Sequence, residues 1–160
     1  MKEVKIEIKI DVFDDINALP DFASQLMTRA IEARKKAYAP YSNFHVGAAL
    51  LLSNGEIITG SNQENASYPS GLCAERTAIY YAGAKYPDAK ITAMAITAAS
   101  SKEATKEPIP PCGACRQAIA EYEDRQKSSI EIFFMGESGS VARSNSLSNL
   151  LPFSFKSSML

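Results

Sequence analysis

The sequence predicts an α/β protein organised as a layered, mixed sheet, and three observations carry that expectation. Strand-like and helix-like stretches alternate along most of the chain. One pair of strands is joined by a tight turn, and the stretch Lys90–Ala98 is apolar on both faces, as in a strand covered on two sides. A sheet that includes one hairpin and carries helices between its other strands accommodates all three.

The elements follow in order. Val4, Ile6, Ile8, Ile10 and Val12 alternate with Lys5, Glu7, Lys9 and Asp11, the period-2 pattern of an edge or interface strand. Between Phe22 and Tyr38, Phe22, Leu26, Ala30, Ala33 and Ala37 recur at helical spacing, with Pro20 near the first turn and Pro40 ending the run. Phe44–Leu52 reads as a strand, Ser53-Asn54-Gly55 as a hairpin turn, and Glu56–Thr59 as the returning strand. The polar loop from Gly60 to Gly71 is the kind of segment on which ligand contacts sit. Leu72–Tyr86 is an alanine-rich helix with Ala74, Ala78, Tyr81 and Ala82 near one face. Lys90–Ala98 is the buried strand, Ser100–Pro111 a charged connection, Gly113–Asp124 a third helix and Ile130–Met135 a further strand. A tail runs from Leu147 to Phe155. With no internal repeat or long linker, the expected organisation is a strand extension over residues 1–20 and one domain over residues 21–160.

Bulk composition bounds the function. A chain of 160 residues with 46% hydrophobic and 22% charged residues can bury a core without disulfide staples. A net charge of −1 argues against a nucleic-acid polymer as partner, which calls for an excess of Lys and Arg. No apolar run approaches the roughly 18 residues of a membrane span, and the first residues lack the apolar core of a signal peptide. The expected location is the cytoplasm.

Three cysteines cannot all pair with one another. Cys112 and Cys115 have the two-residue gap that lets both thiolates of a helix start bind one ion, and Cys73 opens the preceding helix. Helix N-termini lower thiol pKa values, so both places favour thiolates, and Arg76 is placed to offset their charge. A redox Cys-x-x-Cys pair and a closed structural zinc site are the competing readings. The first leaves Glu75 unexplained; the second wants four ligands, and the single histidine, His45, sits inside a strand pattern and is set aside. Three ligands with an open fourth position describe a catalytic zinc. Glu75, two residues from Cys73, would then exchange protons with a bound water, although any glutamate taken alone is by default a solvated helix residue.

These residues resemble a known family. Asn62-Gln63-Glu64-Asn65-Ala66-Ser67-Tyr68-Pro69, Cys73-Ala74-Glu75-Arg76 and Pro111-Cys112-Gly113-Ala114-Cys115-Arg116-Gln117 look like the motifs of the homotetrameric, three-cysteine cytidine deaminases. Tyr41–Ala49 and Leu150–Phe155 extend the similarity, which covers roughly Phe22 to Phe155. The resemblance implies a three-layer α/β/α fold with a central mixed sheet of about five strands, to which the first strand is an addition. It implies one Zn²⁺ per subunit on Cys73, Cys112 and Cys115, with Glu75 as the proton-transferring residue. Asn62 and Glu64 would hold the ribose 3′-hydroxyl, the Ala74 backbone would meet the pyrimidine, and Arg76 would hydrogen-bond the thiolates. Phe44 would line the nucleoside pocket and Phe155 would reach the base from a neighbouring subunit, though either can also serve as core; Tyr68 resembles an interface residue.

The implied activity is hydrolytic deamination of cytidine and 2′-deoxycytidine to uridine and 2′-deoxyuridine with release of ammonia, in pyrimidine salvage, by a homotetramer with subunit-shared sites. A deaminase of another cytosine nucleoside such as blasticidin S, and a non-catalytic zinc-stabilised binding protein, are the alternatives. Two features depart from the family pattern. The Val4–Val12 strand has no counterpart there, leaving it to lengthen the sheet or alter how subunits meet, and the connection between Ala98 and Pro108 is longer.

Overall fold

In the computed structural model, which describes residues 1–160, alternation along the central strands divides the core in two. Strands β2 (Phe44–Leu52), β4 (Ile91–Ser100) and β5 (Glu131–Met135) send Leu50, Met94, Ile96, Ile132 and Phe134 to one face. Ala49, Ala93, Ala95, Phe133 and Met135 point to the other. Helices α2 (Ala74–Lys85) and α3 (Gly113–Gln126) cover the first face and α1 (Asp21–Arg34) the second. This is the expected three-layer α/β/α arrangement.

Six strands form one sheet in the order β1-β6-β5-β4-β2-β3, completed by β1 (Asp11–Phe13), β3 (Ile57–Ser61) and β6 (Val141–Ser144). Only β4 and β5 pair in parallel, and α3 is the crossover between them. The β2–β3 hairpin turns through Gly55, whose φ of 85° lies in the left-handed region, while Asn54 Oδ1 accepts from the Glu56 amide at 3.1 Å.

Several expectations need correction. The strand expected over Val4–Val12 pairs only from Asp11 to Phe13, because β6, its sole neighbour, is four residues long. Arg143 on β6 holds that short pairing through an ion pair to Asp11 at 2.7 Å. Helix α1 stops at Arg34 rather than Tyr38, since the Tyr38 amide donates to Asn62 O and leaves the helical path. Strand β3 begins one residue late and continues to Ser61, and α2 begins at Ala74 with Cys73 as its cap. Tyr81 is exposed rather than core-facing, because the buried stripe of α2 runs through Ala74, Glu75, Ala78, Ile79 and Ala82. Strand β6 was not foreseen at all. The connection after β4 is mostly exposed, as expected of a charged segment.

One glycine positions the site. A Cβ on Gly60 would lie 2.5 Å from Ala74 O and 2.7 Å from the Ala78 amide nitrogen. Glycine at this point of β3 lets the first turn of α2 rest against the sheet, which fixes where Cys73 and Glu75 emerge.

Candidate active site

Two helix starts deliver the thiols. Cys73 is the N-cap of α2 and Cys112 the N-cap of α3, both with extended backbone, and Cys115 lies buried one turn into α3. The three sulfurs all lie within 4.8 Å of one another. Cys73 Sγ is 3.8 Å from Cys112 Sγ, which is 3.5 Å from Cys115 Sγ. Tetrahedral ligation at a metal–sulfur distance of about 2.3 Å sets sulfurs about 3.8 Å apart, whereas a disulfide requires about 2.05 Å. The donor set therefore fits a zinc-type ion.

The electrostatics agree. Arg76 Nη2 donates to Cys73 Sγ at 3.6 Å, and its Nε is buried without a partner. Hydrogen bonding from Cys115 lowers the Cys73 thiol to about 5 against the opposing effect of burial, with Arg76 adding to the drop. The same bond raises the Cys115 thiol, as do burial and the nearby Glu75 charge. In turn the Cys73 thiolate holds the Arg76 guanidinium above its already high ordinary value. Thus one thiol ionises readily and the cluster has a fixed positive neighbour for the charge it accumulates.

Glu75 is 4% exposed, one of few polar residues in the core. Burial raises its carboxyl above the ordinary value, and the Cys73 charge adds to the rise. A buried carboxyl with an elevated pKa beside a cluster of three convergent thiols is suited to taking up and giving back a proton.

The loop that precedes α2 forms the other side of a cavity of about 450 Å³, lined by Tyr41, Ser42, Asn62, Glu64, Tyr68 and Cys73 among others. Its backbone is pinned on two sides. The Glu64 amide donates to Tyr38 O, while Gln63 exchanges both backbone bonds with Leu72, next to Cys73. Within this frame Asn62 Oδ1 accepts from the Val46 amide at 2.7 Å and its Nδ2 donates to Phe44 O at 2.9 Å. Glu64 accepts from the Tyr41 amide at 2.9 Å, from the Ser42 amide at 3.3 Å and from the Ser42 hydroxyl. Both side chains thus secure the start of β2 as well as facing the cavity.

The remaining predicted residues divide. Ala74 is fully buried at the α2 start and Phe44 is half-buried at the β2 start; like Glu75, both lie outside the lining of this cavity. Phe155 is exposed, lies outside this cavity's lining and is held on the flank of α3, where the Gln117 amide accepts from its N–H and donates to its carbonyl. Gln117 and Arg116 were missed. Arg116 Nε donates to Pro111 O at 2.8 Å and Nη1 to Leu150 O at 2.9 Å, tying the cysteine loop to the tail. They follow Cys115 by one and two residues, but nothing in the sequence identifies their distant partners.

A three-thiol cluster spaced to hold a zinc-type ion, with a buried carboxylate beside it on two helices that cover one face of a mixed sheet, points to the class of zinc hydrolases. The particular family is plain from comparison: the model of the cytidine and deoxycytidylate deaminase zinc-binding region matches residues 20–129, and the chain belongs to that family. A cytidine deaminase of Halalkalibacterium halodurans is 51% identical over 96 residues, 60% of this chain and 68% of that protein. One from Sporosarcina psychrophila is 38% identical over 82% of this chain and 89% of its own length. The crystal structure of the Burkholderia pseudomallei cytidine deaminase superposes with a TM-score of 0.70 at 41% identity, covering 82% of this chain and 97% of that one.

Proposed function

We propose that this chain hydrolyses cytidine and 2′-deoxycytidine to uridine and 2′-deoxyuridine with release of ammonia. The observation that carries the reading is Glu75: a buried carboxyl with raised pKa, two residues from one thiol of a convergent three-thiol cluster. Cys73, Cys112 and Cys115 would hold zinc, which when bound supplies the Lewis acidity that makes water a nucleophile near neutral pH.

The chain's own groups then manage the protons, as is established for zinc nucleobase deaminases as a class. Glu75 takes a proton from the attacking water and gives it to the ring nitrogen N3, so C4 gains oxygen while the ring remains uncharged. The second proton of that water passes to the C4 amino group, the C4–N bond breaks, and ammonia and the uracil ring result. Arg76 offsets thiolate charge through Cys73. Ala74 offers its backbone to the pyrimidine, while Asn62 and Glu64 face the sugar and Phe44 lines its pocket. Phe155, exposed on a tail that α3 holds, serves the site of a neighbouring subunit in a homotetramer. Reduced thiols suit a cytoplasmic enzyme of pyrimidine salvage, and no helix is long and apolar enough to cross a membrane.

The test is a substrate panel of cytidine, deoxycytidine, cytosine, CMP and blasticidin S, followed by ultraviolet absorbance. The two nucleosides should be converted, and Glu75→Gln should retain zinc while losing about 10²- to 10⁴-fold in turnover. Undiminished turnover in that variant, or no reaction with cytidine, overturns the reading.

A further inference from the structure

The segment that precedes β1 carries a pattern for which the catalytic site has no use. Val4, Ile6 and Ile8 are 73%, 44% and 53% exposed, and no backbone–backbone hydrogen bond involves residues 1–10. The segment lies before the family match, which begins at residue 20. Ile10 packs on the core beneath α2 and α3, so in an extended chain Val4, Ile6 and Ile8 continue that apolar face past the sheet. Strand β1 is also the end strand, with one edge unpaired.

A second copy of the same segment matches it. Antiparallel pairing about Glu7 would set Lys5 against Lys9 and Glu7 against Glu7, both repulsive. Pairing about Ile8 sets Val4 against Val12, Lys5 against Asp11, Ile6 against Ile10, Glu7 against Lys9, and Ile8 against its own counterpart. Every facing pair is then apolar or of opposite charge, and the free edge of β1 is covered. Pairing about Ile6 also matches charges, Glu3 with Lys9 and Lys5 with Glu7, but leaves Val12 and the β1 edge bare. We propose that Val4–Val12 pairs with the same residues of a second copy of this chain, antiparallel and two-fold about Ile8, joining two sheets through their β1 edges.

Facing Ile8 positions are close enough for a disulfide, so Ile8→Cys provides the readout. The zinc-loaded full chain carrying Ile8→Cys is oxidised mildly and its mass measured without reductant, with the unsubstituted chain setting the background from its own thiols. A covalent dimer well above background is expected. Adding Glu7→Lys should lower the dimer yield about tenfold by creating like-charge pairs. Adding Lys9→Glu to that protein should restore it, because the exchange re-forms the facing pair only in the register about Ile8. Absence of dimer, equal yield with Glu7→Lys, or no recovery in the exchanged form overturns the proposal. Cytidine turnover should be unchanged throughout, and its absence from every form, the unsubstituted chain included, would tell against the deaminase reading alone.

Discussion

The thiol cluster and the cavity beside it, which meet at Cys73 and Arg76, are built differently. At the thiol end, Cys73, Glu75 and Cys115 are fixed by helix starts that rest on the sheet, and Glu75 and Cys115 are buried. At the other end, Tyr41, Ser42, Asn62 and Glu64 lie on irregular segments or strand ends, held by side chain to backbone hydrogen bonds across a solvent-facing cavity. On the proposed function the thiol end is the reacting end and the polar end recognises the substrate; the first is preorganised by the core, which deforms only at high cost. The recognition end is organised by a few polar contacts, which open locally at lower cost. Substitutions at the first should abolish chemistry; those at the second should change affinity.

The largest expected effect comes from removing a thiol. Cys112→Ala leaves two sulfurs of a set that lies within 4.8 Å, so the site should lose its ion. The loss of metal affinity should exceed the ~100-fold typical of disrupting an outer partner. Because ligation and folding are coupled, the variant should also unfold at lower temperature. Metal analysis after dialysis, together with a melting curve, checks both; full retention of zinc would remove Cys112 from the ligand set.

Next is Gly60→Ala, which attacks the thiol end without touching a reacting group. The added carbon meets Ala74 O and the Ala78 nitrogen, both backbone, so α2 must shift as a unit. Overpacking of this kind costs about 1–3 kcal/mol of stability. A displacement near 1 Å at the reacting group costs about 100-fold in kcat. Gly55→Ala sharpens the contrast, since its φ of 85° gives strain but nothing lies within 4 Å of the added carbon. It should cost about 1 kcal/mol of stability and leave kcat unchanged. Equal kcat values for the two variants would show that the seat of α2 does not govern the chemistry.

The same division governs what was legible in the sequence. The central strands and the three helices announce themselves through period and apolar runs, and the Cys112–Cys115 pair through its spacing, because local geometry fixes both; that Cys73 joins them depends on how α2 and α3 sit on the sheet. Glu75 was legible as a candidate but its burial was not, since 4% exposure depends on α2 lying against β3. Strand β6, Val-Ala-Arg-Ser, is too short to carry a period and owes its place to pairing with β5 and β1. The Val4–Val12 alternation shows the opposite failure, a strong local pattern with no paired strand in the same chain for the residues before Asp11. For Asn62 and Glu64 the sequence offers a sugar contact or a solvated loop pair; their clasp on Tyr41–Val46 is not legible, because those partners lie about twenty residues away.

The smallest effect, and the one that tests the recognition end directly, is Glu64→Gln. Hydrogen bonds from the Ser42 hydroxyl, then from the Tyr41 and Ser42 amides, hold the Glu64 carboxyl below its ordinary value. A depressed carboxyl stabilises the fold above its unfolded pKa and loses that contribution as pH falls through the folded one. The clasp on the start of β2 is therefore intact across neutral pH and opens only in acid. The amide substitution places an NH₂ group among three donors, so at neutral pH one side of the clasp is lost while Glu75 and the thiols stay in place. KM for cytidine should rise about tenfold with little change in kcat, the signature of lost uniform binding. A fall in kcat at unchanged KM would instead make Glu64 part of the reacting end, and the two-part description of the cleft would fail there.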